Sequence, residues 1–111
     1  MLLAAVAGSL GGAAATISSP WSNISFSSPT SSGTNEDRTI TGSGIVTTSN
    51  VTPGIEYRIN SGSWTPFAVF AIATGQTLGW RINAAENIST TEDVKVNGYP
   101  LDSFNVTVTG Y

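Results

Sequence analysis

Two pairs of adjacent acidic residues, Glu36-Asp37 and Glu92-Asp93, come nearest to a catalytic arrangement in this sequence. Two carboxyl groups that face one reacting bond can act as general acid and general base. Neighbouring residues of a strand point to opposite faces, so neither pair is presented as a dyad. We therefore expect both pairs to be solvated loop charges, and we assign no catalytic residue.

The other groups that support enzyme chemistry are scarce. The chain has no cysteine and no histidine, and Lys95 is its only lysine. The sequence therefore offers no nucleophile–base pair, no disulfide and no imidazole ligand for a transition metal. Loop oxygens of Asn35, Glu36 and Asp37 could face a calcium ion, but their spacing does not match the acidic calcium-loop pattern. We assign no metal, no cofactor and no enzymatic activity.

Aromatic residues are the remaining candidates for a binding site. Exposed tryptophan rings can hold the apolar face of a sugar, because an indole combines a large apolar surface with a polar N–H. Trp80 and Tyr57 alternate in phase with aliphatic neighbours, which predicts that both lie in the core. Trp21, beside Pro20, and Trp64, beside a turn, are the two possible glycan-binding residues.

The charge balance excludes one class of partner. Charged residues make up 10% of the chain, with four basic residues and a net charge of −3. A nucleic-acid-binding protein needs a basic face to displace counterions, so we expect no nucleic-acid partner. A surface so poor in charge suits a protein that is partly covered in an assembly, or an exported β-domain.

The first 20 residues, MLLAAVAGSLGGAAATISSP, form an uncharged apolar segment that we call the N-terminal arm. The arm has the apolar middle of a signal peptide but lacks its positively charged start. Glycines and Ser9 interrupt the run, which leaves it short of the roughly 20 apolar residues of a membrane span. We expect the arm to be retained and covered by a neighbouring subunit. Its partner-binding residues are Leu2, Leu3, Val6 and Leu10.

Short β-branched runs separated by turn residues follow from Arg38 onward and predict strands. Alternation places three sets of apolar residues on buried faces, and a hairpin is expected over Glu56–Phe67. The sets are Ile55, Tyr57 and Ile59, then Leu78, Trp80 and Ile82, then Phe104, Val106 and Val108. The run AVFAIA (68–73) is either a buried strand or a connecting segment, and ENISTTED (86–93) is expected to be a loop.

Strands of this length and spacing predict an all-β fold, a single antiparallel β-sandwich with an extended N-terminal arm. The arm covers residues 1–20 and the sandwich domain residues 21–111. Alternation is similar in jelly-roll and immunoglobulin-like sandwiches, so both strand orders stay open.

The stretches GIEYRINSGSWT, TGQTLGWRINA and STTEDVKVNGYPLDSFNVTVTG carry a resemblance that covers about half of the chain. They resemble the immunoglobulin-like or jelly-roll β-modules of bacterial surface proteins and phage structural proteins. A single module with a retained apolar arm looks like the small capsid decoration, or stapling, proteins of epsilon-fifteen-like tailed phages. That family has no sharp motif, so no individual residue role is carried over.

The resemblance implies a non-enzymatic protein on the outer surface of a virion capsid. Such a protein would bind the major capsid protein, cement neighbouring shell subunits and act as a homo-oligomer such as a dimer. The composition and the interrupted apolar run add the expectation of no nucleic-acid and no membrane partner. Two alternatives stay open at this point. One is a carbohydrate-binding module that uses Trp21 and Trp64, and the other is an exported bacterial surface domain with an atypical leader.

Overall fold

The computed structural model describes residues 12–111, which form strands and connecting turns with no helix. Eleven strands lie in this part of the chain, and they build two sheets. These strands are Thr16–Ile17 (β1), Ile24–Ser27 (β2), Ser32–Thr34 (β3), Arg38–Thr41 (β4), Gly44–Thr48 (β5), Ile55–Ile59 (β6), Thr65–Pro66 (β7), Phe70–Ile72 (β8), Thr77–Asn83 (β9), Ile88–Val96 (β10) and Tyr99–Thr109 (β11). The predicted all-β sandwich is confirmed.

The strand order decides between the two sandwich types. The first sheet has the order β1-β4-β9-β6-β7, with β3 also paired to β9, and the second has the order β2-β11-β10-β5-β8. If β4, β5, β6, β9, β10 and β11 are taken as strands B to G, the sheets contain B-E-D and G-F-C. This is the immunoglobulin order. All pairs are antiparallel except β2 with β11, which is parallel.

The core lies between the sheets, on the faces that the alternation predicted. Leu78, Trp80 and Ile82 of β9 are buried, and so are Phe104, Val106 and Val108 of β11. Ile55 is buried as well, while Tyr57 and Ile59 are partly buried against the same core. The predicted hairpin over Glu56–Phe67 is present as the β6–β7 pair.

Two segments differ from the sequence-based expectation. Residues 88–93 of the expected loop ENISTTED are instead the first part of β10, which pairs with β11 along its length. Its polar residues occupy strand positions because their neighbours in β11 supply a continuous backbone ladder. The run AVFAIA forms β8, an edge strand of which Ile72 is buried and Ala71 is exposed.

The domain also begins earlier than the predicted boundary at residue 21. Thr16 and Ile17 pair with Thr41 and Ile40 of β4, and Ala15 belongs to the buried core. The last part of the predicted arm is therefore built into the sandwich, because its backbone completes the edge of the first sheet.

The sandwich has two ends, which we call lower and upper. The lower end is the one at which β10 turns into β11 and the chain crosses from β4 to β5. At the upper end lie Thr109, the loop before β6 and the end of β9. The β11 strand has 11 residues, which corresponds to a separation of about 33 Å between the two ends.

Candidate interaction surfaces

The side chain of Asn97 joins three segments of the chain at the lower end. Its Nδ2 donates hydrogen bonds to the carbonyl oxygens of Ala13 and Ser43, each at 3.1 Å. Its Oδ1 accepts one from the backbone N–H of Ile45 at 3.1 Å. Asn97 is 2% exposed. One buried amide therefore fixes the start of the described chain to the β4–β5 crossover and to the β10–β11 turn.

Local conformation and close packing make this arrangement possible. Asn97 has a φ of 55°, a conformation that asparagine adopts more readily than most residues. A Cβ added to Gly44 would lie 2.2 Å from the amide of Asn97, and one added to Gly12 would lie 2.0 Å from it. Both positions therefore need glycine for the backbone to approach the amide.

Asn97 is not among the site residues predicted from the sequence. Its neighbour is a glycine, and the Asn97-Gly98 dipeptide is typical of the turn that the structure contains. The hydrogen bonds to Ala13 and Ser43 join residues 84 and 54 positions apart. A local sequence pattern cannot reveal contacts between residues so far apart.

We predict that Asn97→Ala lowers the free energy of unfolding by about 2–4 kcal/mol, because it leaves two carbonyl groups and one N–H without their partner. Urea unfolding followed by tryptophan fluorescence measures the change. Asn87→Ala is the matched control, since Asn87 makes two hydrogen bonds to Tyr111 in an exposed position. Equal losses for the two variants would contradict the anchoring role of Asn97.

The four partner-binding residues predicted in the arm lie outside the described residues. They are Leu2, Leu3, Val6 and Leu10. The structure does place the point from which their segment starts. Gly12, the first residue that the structure describes, lies against the amide of Asn97 at the lower end.

Trp21 is a core residue and not a glycan-binding one. It is 4% exposed, and its Nε1 donates a hydrogen bond to the carbonyl oxygen of Leu78 at 3.0 Å. Its ring packs edge-on against Trp80 at 5.9 Å and Phe104 at 6.2 Å between centroids. A sugar cannot stack on this ring because other side chains already cover it, which corrects the assignment of Trp21.

Trp64 is partly exposed and lies on the outer face of the first sheet. Its ring centroid is 4.5 Å from the guanidinium carbon of Arg58 and 5.0 Å from that of Arg81. Arg81 in turn donates a hydrogen bond of 2.6 Å to Glu56. The indole therefore stacks on two cations that are themselves paired with carboxylates. Trp64 and Trp21 lie on opposite sides of the sheet and cannot form one platform.

We predict that Trp21→Ala lowers the free energy of unfolding by about 3–5 kcal/mol, as for other buried aromatic residues. Trp64→Ala should cost about 0.5–2 kcal/mol, the range of a cation–π contact at a partly exposed site. Chemical unfolding of both variants tests the assignment. If Trp21→Ala were as mild as Trp64→Ala, Trp21 would not be the core residue described above.

The expectation for the second acidic pair, Glu92-Asp93, is wrong for Glu92. It was expected to be a solvated loop charge, but it is fully buried in β10, in phase with the core residues Val94 and Val96. Its carboxylate accepts hydrogen bonds from the backbone N–H of Asn50 at 3.3 Å and of Thr52 at 3.0 Å, and from the hydroxyl of Thr52. Burial is tolerated because loop donors replace water around the charge. Its neighbour Asp93 is exposed, as expected.

The loop held by Glu92 presents Val51 at the upper end. Val51 has a φ of 48°, which a β-branched residue seldom adopts, and it is 53% exposed. Such backbone strain persists only where the surroundings impose it. Here the bonds of Glu92 to the residues on either side of Val51 impose it. A large apolar side chain is thereby turned toward solvent beside Pro66 and Phe67, with which it lines one cleft.

The first acidic pair is divided between two partners. Glu36 is exposed and forms an ion pair with Arg38 at 3.0 Å. Asp37 accepts two hydrogen bonds of 3.1 Å from Arg58. Its carboxylate lies over Gly79 of β9, where an added Cβ would come within 2.0 Å of Oδ1. Asp37 therefore orients the arginine that stacks on Trp64, and the pair does not form a dyad.

The described residues 12–111 also bear on metal binding and on membrane insertion. No group of three or more acidic side chains in this range is placed to hold a metal ion. This part of the chain also contains no helix with the length and apolar character needed to cross a bilayer.

Comparisons with protein-family models, with curated proteins and with solved structures found no match to this chain.

Proposed function

We propose that this protein is a non-enzymatic capsid decoration protein. It binds the outer surface of a virion shell and joins neighbouring major capsid protein subunits. The observation that carries the proposal is the anchored base of the arm. Asn97, β1 and Ala15 hold residues 12–17 on the sandwich, directly after the segment that contains Leu2, Leu3, Val6 and Leu10. The capsid as the location rests on the resemblance of the sequence to decoration proteins.

The roles of the charged residues support a binding role over a catalytic one. Asp37 and Glu56 hold the arginines beneath Trp64, and Glu92 holds the loop that carries Val51. Each of these carboxylates therefore holds a surface residue or loop in a fixed position. A protein that joins subunits requires a rigid body of this kind and no reactive group.

The binding free energy expected for one arm suits attachment to a shell at many points better than attachment to a single partner. Each large apolar side chain of the arm would contribute roughly 1.5–3 kcal/mol on full burial. Ordering the backbone costs about 1–2 kcal/mol per residue, which over the 11 residues of the segment equals or exceeds the gain from the four large side chains. A single arm therefore binds weakly. Many copies attached at several points on a symmetric shell hold far more strongly, because the later contacts form at high effective concentration.

The carbohydrate-binding alternative loses its geometric basis. It required two exposed aromatic rings in one plane, and Trp21 is in the core. Trp64 alone stays partly exposed, and its ring is engaged by two arginines. We therefore propose no glycan-binding function.

We predict that removing residues 1–11 lowers the occupancy of the protein on shells at least tenfold, because the apolar contacts are lost. The segment 12–17 stays in place, so the thermal midpoint should be unchanged. Shells assembled from the major capsid protein of the source phage are incubated with each variant, sedimented and quantified by gel densitometry.

A full-length variant with Leu2, Leu3, Val6 and Leu10 all changed to Ser is the matched control for chain length. It should bind as poorly as the truncated protein. Unchanged occupancy for both variants would refute the proposed role of the arm.

A further inference from the structure

An uncharged apolar strip runs along one edge of the sandwich. The chain carries no charged residue between Arg58 and Arg81, and this stretch contains β7 and β8. Five of its apolar residues are exposed between the start of β7 and the residue after β8, and Val69 is 61% exposed. We call them the apolar seam. They are Pro66, Ala68, Val69, Ala71 and Ala73.

The backbone of the seam is open to a further strand. Among residues 12–111 no strand pairs with the outer side of β8. Ile45 directs its carbonyl group to the N–H of Asn97, away from β8. Ala71 lies opposite Ile45 in the antiparallel register, so its own N–H and C=O point outward. The seam therefore offers the N–H and C=O of Ala71 together with apolar side chains, while the N–H and C=O of Ala73 are already paired with Gln76.

An edge of this composition is ordinarily protected. Natural sheets place lysine, proline or a covering segment on edge strands, since an open apolar edge pairs with other chains. The seam has Pro66 near its upper end and no charged residue. This combination marks it as a surface that another segment covers.

The N-terminal segment matches the seam in charge and in length. Residues 1–35 contain no charged side chain, so the segment before Gly12 places no charged side chain against the seam. The seam spans seven residue steps, or about 23 Å. The 11 residues before Gly12 can reach about 36–40 Å when extended. The upper end of the seam also opens into the cleft of about 330 Å³ lined by Val51, Pro53 and Phe67, which suits a large aliphatic side chain.

The start of the segment is separated from the seam of its own chain. Gly42 lies between Ala15 and Thr74, since it contacts the first and donates a hydrogen bond of 2.8 Å to the hydroxyl of the second. Gly44 likewise lies between the amide of Asn97 and its strand partner Ile72. The β4–β5 crossover therefore stands between the arm base and β8. A segment from another molecule meets no such obstacle.

We propose that the apolar seam binds residues 1–11 of a second copy of this chain, through backbone hydrogen bonds to the edge of β8 and apolar contacts to its side chains. The inference rests on the proposed function in that it uses the same arm. It adds that copies of the protein are linked to one another as well as to the shell.

Because the chain has no native cysteine, disulfide trapping tests the proposal directly. A tagged Ala5→Cys protein is mixed with an untagged Ala71→Cys protein and oxidised, and the mixed dimer is quantified on a non-reducing gel. Thr107→Cys replaces Ala71→Cys in the matched control. Thr107 is also exposed, but it lies on β11, which β10 and β5 separate from β8. The expected yield of mixed dimer with Ala71→Cys is at least fivefold the control yield.

A second variant checks that the contact depends on the apolar edge. Val69→Lys, added to the Ala71→Cys protein, should reduce the mixed dimer at least fivefold and leave the thermal midpoint unchanged, because Val69 is exposed. Equal yields with Ala71→Cys and Thr107→Cys would overturn the proposal. So would an internal disulfide in the double variant Ala5→Cys/Ala71→Cys at a dilution where no dimer forms. Because no shell is present, these failures are distinct from a failure of shell binding.

Discussion

The buried amide of Asn97 is the interaction on which the arrangement of the lower end depends. It is a single side chain that satisfies two carbonyl groups and one N–H from segments far apart in the sequence. Buried backbone groups at a strand crossover need such partners, because water cannot reach them. By holding Ala13, the amide turns the start of an apolar segment into an extension of a rigid body. The backbone that directly follows residues 1–11 is therefore fixed on the sandwich.

At the upper end a buried side chain again satisfies backbone groups, but here it is the carboxylate of Glu92 and not an amide. Glu92 satisfies loop N–H groups from inside the sandwich and turns Val51 outward. The apolar seam connects the two ends along the open side of β8. The molecule thus has an apolar segment anchored at one end and an apolar cleft at the other, about 33 Å apart by the length of β11. A molecule with two different apolar features at opposite ends suits a protein that links neighbours in an assembly, as the proposed function requires.

The sandwich could be predicted because apolar and polar residues alternate along its strands. Features that depend on contacts between distant parts of the chain could not be predicted. Leu78, Trp80 and Ile82 could be assigned to the core because a strand with one buried face repeats every two residues. Trp21 gave no such signal, since it lies outside a strand and is buried by residues of β9 and β11. Glu92 shares its phase with Val94 and Val96, but a charge at an inward position is explained only by donors from the loop at Asn50–Thr52. The role of β8 stayed open because a short apolar run fits a buried strand or a connecting segment equally well.

The central claim is that residues 1–11 are covered by another polypeptide and not by their own sandwich. Hydrogen–deuterium exchange of these amides, compared between dilute free protein and protein bound to shells, tests it most directly. The account predicts that protection of residues 1–11 rises at least tenfold on assembly, while the amides of β9 and β11 stay equally protected in both states. Equal protection of residues 1–11 in the dilute protein and on the shell would contradict it.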